Sequence, residues 1–263
     1  MELKNSTILI TGGTSGIGLE LVKQLTEEGA NIIITARNPD TLREIKQKFR
    51  NIHVFRSDVS NLEDIEELYT DVTTKFPDLN IIINNAGIMR LIDLLDSSLD
   101  LENINREIVT NLSGTIQMVH QFLPHLLKQK SAAIVNVSSG IAFMAYSSAP
   151  IYSASKAGVH AYTKALRLQL EDTNVKVLEV IPPGVNTNLQ NDWVIQPNPS
   201  MMMEVDKMVK LIIKGLLSEK PEIKPFLISI IKTATRIAPN LLLKFGHREF
   251  RKFKQLNNTA KKM

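Results

Sequence analysis

The sequence predicts the α/β fold class, with one doubly wound parallel sheet and helices on both of its faces. Six short apolar runs alternate with helical patterns, and such alternation is typical of parallel strands joined by crossover helices. The runs lie at about 7–11, 31–35, 52–56, 79–84, 131–138 and 175–181. A chain of 263 residues is long enough to bury a substantial core as a single domain.

The first run opens the most informative unit of the chain. Ile8-Leu9-Ile10 is followed by the turn Thr11-Gly12-Gly13-Thr14-Ser15-Gly16-Ile17-Gly18, and apolar residues then recur at helical spacing up to Gly29. Glycines allow a tight turn and the close approach of a pyrophosphate, to which the N-terminus of a helix offers free N–H groups. The unit therefore predicts a dinucleotide-binding turn; the alternative is a turn without a ligand.

Each of the five later runs ends at a polar or proline motif. In chain order these are Arg37, Asp58-Val59, Asn84-Asn85-Ala86-Gly87, Ser139 and Pro182. The carboxyl ends of parallel strands meet at one edge of a sheet, and ligands bind in the crevice beyond that edge. We therefore expect these residues to lie around one site.

Tyr152 and Lys156 lie four residues apart in the helical pattern after the fifth run, so a helix places them on one face. An ammonium group about 4 Å from a phenol favours the phenolate by roughly 4 kcal/mol, or roughly three pKa units before burial opposes it. Such a pair is suited to acid/base chemistry near neutral pH. The alternative is two unrelated side chains on a surface helix.

Together these motifs resemble the short-chain dehydrogenase/reductase family over about residues 4–220. Ser139 lies 13 residues before Tyr152, and Asn111 lies in a helix predicted over 101–129, as in that family. The resemblance implies a Rossmann-type fold and an oxidoreductase that transfers a hydride between NADP(H) and a carbonyl or alcohol substrate. A non-catalytic protein that senses the cofactor on the same fold is the alternative.

The resemblance also implies four catalytic residues. Tyr152 is expected to act as the general acid in reduction and as the base in the reverse direction, while Lys156 lowers its pKa and binds the nicotinamide ribose. Ser139 is expected to hydrogen-bond the substrate oxygen, and Asn111 to hold a water that links Lys156 to solvent. The spacing favours Ser139 over Ser138. The alternatives are that Ser138 or Ser139 merely ends a strand and that Asn111 is an amide on the surface of its helix.

The end of the second run indicates which nicotinamide cofactor is preferred. Ala36-Arg37-Asn38 offers no carboxylate to a ribose 2′-hydroxyl, whereas the Arg37 guanidinium suits a 2′-phosphate. NADP is therefore expected and NAD less so, although Ser15 stands where some NADP-preferring members carry a basic residue. The alternative for Arg37 is a solvated surface side chain. The resemblance places the cofactor against Gly12, Thr14, Ser15, Gly16, Ile17, Gly18, Arg37, Asp58, Val59, Asn85, Ala86, Gly87, Tyr152, Lys156, Pro182, Val185 and Thr187.

The segment after the sixth run departs from the usual family pattern. In Pro182-Pro183-Gly184-Val185-Asn186-Thr187 the second proline replaces a glycine and stiffens the turn. Together with Arg236-Ile237-Ala238-Pro239-Asn240, this variant resembles the DltE-type oxidoreductases, a name that defines no substrate. Residues 188–219 are expected to form a substrate lid on a 1–220 dinucleotide-binding and catalytic domain. Apolar side chains are available to line the lid for an apolar or amphipathic substrate, or to pack as core: Leu189, Trp193, Val194, Ile195, Met201, Met202 and Met203.

The C-terminal extension, residues 221–263, differs in charge from the rest of the chain. It holds ten Lys and Arg against two Glu, a net charge of +8, whereas the whole chain carries +4. Large apolar residues lie between these charges. We expect the extension to pack on the domain or on a neighbouring subunit, with peripheral membrane contact as the alternative.

Helices over 101–129 and 153–171 are expected to pair between subunits, giving a homodimer or homotetramer. Seven apolar residues are predicted to fall outside the stripe that faces the sheet: Ile116, Met118, Val119, Leu123, Tyr162, Leu166 and Leu170. Apolar surface of that extent is rarely left in water.

Composition narrows the remaining classes of function. The chain has no cysteine, which excludes disulfides and thiol chemistry. Its histidines lack metal-ligand spacing, so no catalytic metal is expected, and no reading helix or zinc module indicates nucleic-acid binding. Neither a signal peptide nor an uncharged apolar run of about 18 residues is recognised, which favours a cytoplasmic location.

Overall fold

The computed structural model describes residues 2–97, 99–190, 193, 198–244, 247, 250, 251 and 254. Its centre is a parallel sheet of seven strands in the order β3-β2-β1-β4-β5-β6-β7. The strands are β1 (Thr7–Thr11), β2 (Asn31–Ala36), β3 (Ile52–Arg56), β4 (Leu79–Asn84), β5 (Ala132–Val137), β6 (Val175–Val180) and β7 (Glu222–Ile223). The strand order reverses between β1 and β4, and a doubly wound fold binds its ligands beyond the carboxyl ends at that point.

Helices cover both faces of the sheet. They are α1 (Gly16–Glu27), α2 (Pro39–Lys48), α3 (Leu62–Lys75), α4 (Gly114–Leu126), α5 (Pro150–Gln169), α6 (Val205–Leu217) and α7 (Phe226–Ile237), with a π-helix at Ile108–Ser113 and short 3₁₀ turns at Gly140–Ala142, Asn188–Gln190 and Pro199–Met201. Because successive strand residues point to opposite faces, Ile8 and Ile10 of β1 join one apolar core with α1, α2 and α6, while Leu9 joins the other with α3, α4 and α5. The predicted α/β Rossmann-type fold is confirmed.

Two features of the secondary structure differ from the prediction. The helix predicted over 101–129 is wrong at both ends, since the continuous helical segment runs from 106 to 126. The Asp100 carboxylate accepts a hydrogen bond from the backbone N–H of Glu102 at 3.0 Å, and such a local bond gives the chain a turn instead of a helix. Strand β7 was not predicted, because two residues carry no periodic signal.

Helix α6 lies within residues 188–219, the segment that the sequence assigns to a substrate lid. Met208, Val209, Ile212 and Leu216 are buried in the core that α6 shares with α1, so this part of the segment supports the sheet. Val194 and Ile195 lie outside the described residues. A lid formed by the rest of the segment stays a prediction.

The outer faces of α4 and α5 are less apolar than predicted. Met118, Val119, Leu166 and Leu170 are buried in the chain's own core, so the prediction that they lie outside the sheet-facing stripe is wrong. Leu123 and Tyr162 are partly buried against the same core, and Ile116 is exposed. Neighbouring helices bury residues of α4 and α5 in addition to those that face the sheet. A subunit interface through these helices remains a prediction.

Candidate active site

The glycine-rich turn between β1 and α1 has a backbone that only glycine allows at two points. Gly12 has φ of +67°, in the left-handed region that side chains disfavour. A Cβ atom on Gly18 would lie 2.1 Å from the carbonyl oxygen of Gly12, closer than any contact permits. The first turn of α1 therefore packs directly on the backbone that leaves β1.

The segment after β4 holds this turn in place. The Asn85 side-chain amide donates to the carbonyl oxygens of Thr11 at 3.0 Å and Gly12 at 3.1 Å. The backbone N–H groups of Asn85 and Ala86 both donate to the Thr11 hydroxyl at 3.0 Å. The predicted residues Asn85 and Ala86 are thus brought together with the glycine turn across the β1–β4 junction.

The N-terminus of α1 differs from those of α2 and α3. Asn38 and Asn61 cap the later two helices by accepting backbone hydrogen bonds, whereas Ser15 gives α1 no side-chain cap. The first turn of α1 also contains no acidic residue. Its N–H groups and the positive end of its dipole are consequently available to an anion.

Arg37 follows β2 at the same edge of the sheet. Its side chain is about half exposed, and its guanidinium lies 4.0 Å from the carboxylate of Asp58, which follows β3. An ion pair that is this long and this exposed contributes little free energy. The Arg37 guanidinium is therefore available to bind another anion. Val59, which follows Asp58, packs against Gly114 at the start of α4.

The four predicted catalytic residues are brought together, and all of them are buried. The side chain of Ser139 interacts with the phenol of Tyr152. Lys156 Nζ lies 5.8 Å from the centre of the Tyr152 ring. A Cβ atom on Gly87 would lie 3.6 Å from Lys156 Nζ and 3.3 Å from Asn111 Oδ1, so Gly87 borders both side chains.

The electrostatics of the Tyr152–Lys156 pair differ from the prediction. Burial raises the pKa of Tyr152 to about 12, and the hydrogen bond with Ser139 lowers it by less. Burial also lowers the pKa of Lys156 to about 8. The predicted lowering of the Tyr152 pKa by Lys156 is wrong for this geometry, because burial is the largest cause of the shift in both pKa values and Nζ donates to the Val137 carbonyl at 2.8 Å.

Asn111 lies in the π-helix, and its side chain bonds the segment that follows β4. Its Oδ1 accepts from the Ile88 N–H at 2.9 Å, while Nδ2 donates to the Ile88 carbonyl at 2.9 Å and to Ser155 Oγ at 3.1 Å. A surface amide, the alternative interpretation, is therefore wrong. Both hydrogens of the amide are used in protein contacts, so its assignment to a water relay stays a prediction.

A buried carboxylate next to the site was missed by sequence reasoning. Glu179 of β6 is fully buried, accepts a hydrogen bond from Ser138, and lies 2.9 Å from His160 Nδ1. Ser138 is thus occupied, which leaves Ser139 to contact Tyr152. A glutamate inside the apolar run of β6 is the signal that could have indicated this network.

The segment after β6 joins the two halves of the site. The Pro182 carbonyl accepts from the Gly140 N–H at 2.8 Å, next to Ser139. A Cβ atom on Gly16 would lie 3.3 Å from Thr187 Cβ, so Thr187 faces the glycine turn. Val185, which lies between Pro182 and Thr187 in the sequence, is buried and forms an isolated parallel β-bridge with Met203.

Helix α7 packs against the loop that follows Ser139. A Cβ atom on Gly140 would lie 2.6 Å from Ile228 Cδ1, so the missing side chain makes room for Ile228. Lys232 pairs with Glu222 and lies 5.3 Å from the centre of the Phe143 ring. Farther along the C-terminal extension, His247 Nδ1 lies 3.1 Å from the Ser147 hydroxyl. The extension thus borders the site on the side of Ser139.

Comparison with known proteins identifies the family. A family model described as short chain dehydrogenase matches residues 6–198. The chain belongs to this family. It is 39% identical over 237 residues to a Bacillus subtilis (strain 168) protein named "Uncharacterized oxidoreductase DltE", with 90% of this chain and 94% of that protein covered. It is 33% identical over 206 residues to "Uncharacterized oxidoreductase SA2266" of Staphylococcus aureus (strain N315), with 78% and 87% covered. The resemblance to DltE-type members is confirmed.

Solved structures share the architecture. A short chain dehydrogenase from Burkholderia cenocepacia J2315 in complex with NADP has a TM-score of 0.79 and 25% identity, over 95% of this chain and 98% of that chain. A short chain dehydrogenase/reductase from Burkholderia phymatum in complex with NAD has a TM-score of 0.80 and 21% identity, over 88% and 93%. A Sphingobium yanoikuyae short-chain dehydrogenase in complex with NADPH has a TM-score of 0.78 and 23% identity, over 91% and 95%. The latter two likenesses concern the fold.

Proposed function

We propose that this family member is an oxidoreductase that transfers a hydride between NADP(H) and a carbonyl or alcohol substrate, with Tyr152 as the general acid/base. The buried contact between Ser139 and Tyr152, beside Lys156, carries the proposal. It lies at the same edge of the sheet as the glycine turn. An acid/base and a dinucleotide cradle at one edge are what such a reaction requires.

The residues present fit a dinucleotide. The turn leaves no room for a Cβ atom on Gly18, and the uncapped start of α1 offers N–H groups to a diphosphate. Gly12, Thr14, Ser15, Gly16, Ile17 and Gly18 would hold the diphosphate; Arg37, Asp58 and Val59 the adenosine; and Asn85, Ala86, Gly87, Tyr152, Lys156, Pro182, Val185 and Thr187 the nicotinamide riboside. When bound, the cofactor supplies or accepts the hydride.

Arg37 supports a preference for NADP over NAD. Its guanidinium is half exposed after β2, and its long contact with Asp58 leaves its donors available to a 2′-phosphate. No carboxylate stands in Thr35-Ala36-Arg37-Asn38 to bind a ribose 2′-hydroxyl. Solved structures of similar fold are described in complex with NADP and NADPH, and one with NAD.

The chain's own residues would handle the proton. Because burial raises the pKa of Tyr152 to about 12, its Oη holds a proton at neutral pH and can donate it to a substrate oxygen. Ser139 would donate a hydrogen bond to the same oxygen and orient it. Because the pKa of Lys156 is about 8, its ammonium group can give up a proton near neutral pH and reprotonate Tyr152 after the transfer.

The borders of the site favour an apolar or amphipathic substrate. Exposed leucines and a methionine lie on the segments that flank the site: Leu94 and Leu95 after the Asn85 segment, and Leu189 and Met201 after Thr187. The Trp193 indole donates to the Met89 carbonyl at 3.4 Å, which links the two segments. These features suit a small-molecule carbonyl compound with an apolar chain. We further propose that the enzyme acts in the cytoplasm as a homodimer or homotetramer.

The proposal is tested by a panel of aldehydes and ketones of increasing chain length, followed by the absorbance of NADPH and, separately, of NADH. We expect turnover with NADPH that rises with the apolar chain and is weaker with NADH. Absence of turnover with every carbonyl and alcohol compound, by a folded chain that binds NADPH, would contradict the proposal. Binding is measured in parallel by NADPH fluorescence.

A further inference from the structure

Helix α7 has two apolar faces, and only one of them packs on the domain. On the inner face, Ile228 is 1% exposed and fills the space at Gly140. Lys232 on the same side is held by Glu222. These contacts fix the orientation of the helix, so the residues on its opposite side point away from the core.

The opposite side is apolar as well. Phe226 is 80% exposed and Ile237 is 79% exposed, with Ile230 between them at helical spacing. We call the outer face the exposed residues of α7 and of the helical turn at 239–244, namely Phe226, Leu227, Ile230, Ile237, Leu241 and Leu243. Six exposed, large apolar side chains on one short segment are uncommon on a monomer and indicate an interaction surface.

The charge of this extension indicates what covers the outer face. Residues 221–263 carry a net charge of +8, whereas the rest of the chain, by difference from the whole-chain charge of +4, carries −4. Arg236 and Lys244 are exposed among the apolar residues of the outer face. A two-fold contact between copies through this face would bring Arg236 and Lys244 of one copy close to the same residues of the other, and repulsion between like charges opposes such a contact. An anionic partner is the complementary one.

We propose that the outer face docks on an anionic lipid surface, with α7 lying in the plane of the interface. Apolar side chains on one side of a helix with lysine and arginine around them are the features of an interfacial helix. None of the described helices is long and apolar enough to cross a membrane, so the contact lies at the surface. Docking would place the loop after Ser139, on which α7 packs, near the headgroups.

The test is co-sedimentation of the full chain with vesicles of phosphatidylcholine alone and of phosphatidylcholine with phosphatidylglycerol. Each basic residue close to an anionic surface strengthens binding roughly five-fold, and salt screens that attraction. We expect binding to the anionic vesicles, with the partition coefficient falling about ten-fold or more at high salt. This readout does not depend on turnover, so it is independent of the proposed activity.

Matched variants test the two components of the surface. Phe226→Ser/Ile230→Ser/Ile237→Ser should lower binding to anionic vesicles by about ten-fold or more, because apolar burial is lost. The control is Leu62→Ser, 59% exposed at the start of α3. Arg236→Gln/Lys244→Gln should also weaken binding. Lys23→Gln/Lys210→Gln, on α1 and α6, should not.

Three results would overturn the proposal. They are equal binding to neutral and anionic vesicles, unchanged binding of the triple serine variant, and concentration-dependent self-association in light scattering that the triple variant abolishes while no vesicle binds. The thermal midpoint of each variant shows that it folds. If a variant does not fold, the dependence of the unmodified chain on salt and on lipid charge decides the question.

Discussion

Two isoleucines on opposite sides of α7 offer a sharp test of how the C-terminal extension supports the site. Ile228→Ala removes a fully buried side chain, and such changes cost about 2–5 kcal/mol from lost transfer energy and the cavity left behind. We expect the lower end, about 2 kcal/mol, because Ile228 is the one buried residue of α7 and the helix can settle into part of the cavity. Ile237→Ala changes an exposed side chain on the same helix and should stay within about 0.5 kcal/mol.

The assays are urea unfolding and limited proteolysis. A cost of about 2 kcal/mol raises the undocked population of α7 roughly 30-fold, and proteolysis tracks that population when opening is fast. Because Ile228 fills the space at Gly140, next to Ser139, turnover should also fall in Ile228→Ala and not in Ile237→Ala. Equal proteolysis rates and equal turnover in the two variants would refute the packing of α7 on the Ser139 loop.

A second substitution makes the contact itself measurable. The methyl group of Gly140→Ala would lie 2.6 Å from Ile228 Cδ1, and overpacking costs about 1–3 kcal/mol, with the lower end expected here because Cδ1 is the end of a side chain that can shift. In Gly140→Ala/Ile228→Ala the new methyl group occupies part of the cavity. The double variant should therefore be more stable than the sum of the single effects by about 1 kcal/mol or more. Strict additivity would show that the two residues do not touch.

Three further predictions concern the cofactor and acid stability. Arg37→Ala should weaken NADPH binding about ten-fold or more and NADH binding much less, measured by fluorescence titration; equal losses would remove the 2′-phosphate assignment. Gly18→Ala should abolish binding of both cofactors in the same titration, because its Cβ atom would lie 2.1 Å from a carbonyl oxygen of the turn, and retained affinity would contradict the cradle. Burial raises the pKa of Glu222, but hydrogen bonds from Lys224 and Lys232 outweigh it and hold the pKa at about 2, below the ordinary value of 4.5. Since a lowered pKa stabilises the fold above pH 4.5 and that stability is lost as pH falls toward about 2, Glu222→Gln should flatten acid unfolding in this window; an unchanged slope would count against the ion pair.

The sequence predicts the parts of this molecule that local patterns encode. Six strands appear where the apolar runs lie, and the glycine turn follows β1. Tyr152, Lys156 and Ser139 meet because the topology of the sheet brings the ends of neighbouring strands to one edge. Family motifs and strand order therefore account for the position of the site.

Features that depend on long-range packing were not predictable in this way. The pKa of Tyr152 rises instead of falling, because burial decides it and spacing along a helix carries no information on burial. Ile228 meets Gly140 across 88 positions of sequence, with no periodic signal that pairs them. In the sequence, the only sign of the Glu179 network is a charged residue within an apolar run. Its partners Ser138 and His160 lie outside β6, so the run does not indicate them.

The most direct test of the central claim compares two identical substitutions on one helix. Tyr152→Phe removes the proposed proton donor, whereas Tyr162→Phe, almost three turns farther along α5, removes a phenol outside the site. General acid/base catalysis contributes about 10²–10⁴-fold, so Tyr152→Phe should lower NADPH-dependent carbonyl reduction by at least about 10²-fold with NADPH affinity nearly unchanged, while Tyr162→Phe stays close to the unmodified chain. Undiminished turnover in Tyr152→Phe, on any substrate that the unmodified chain reduces, would contradict the account.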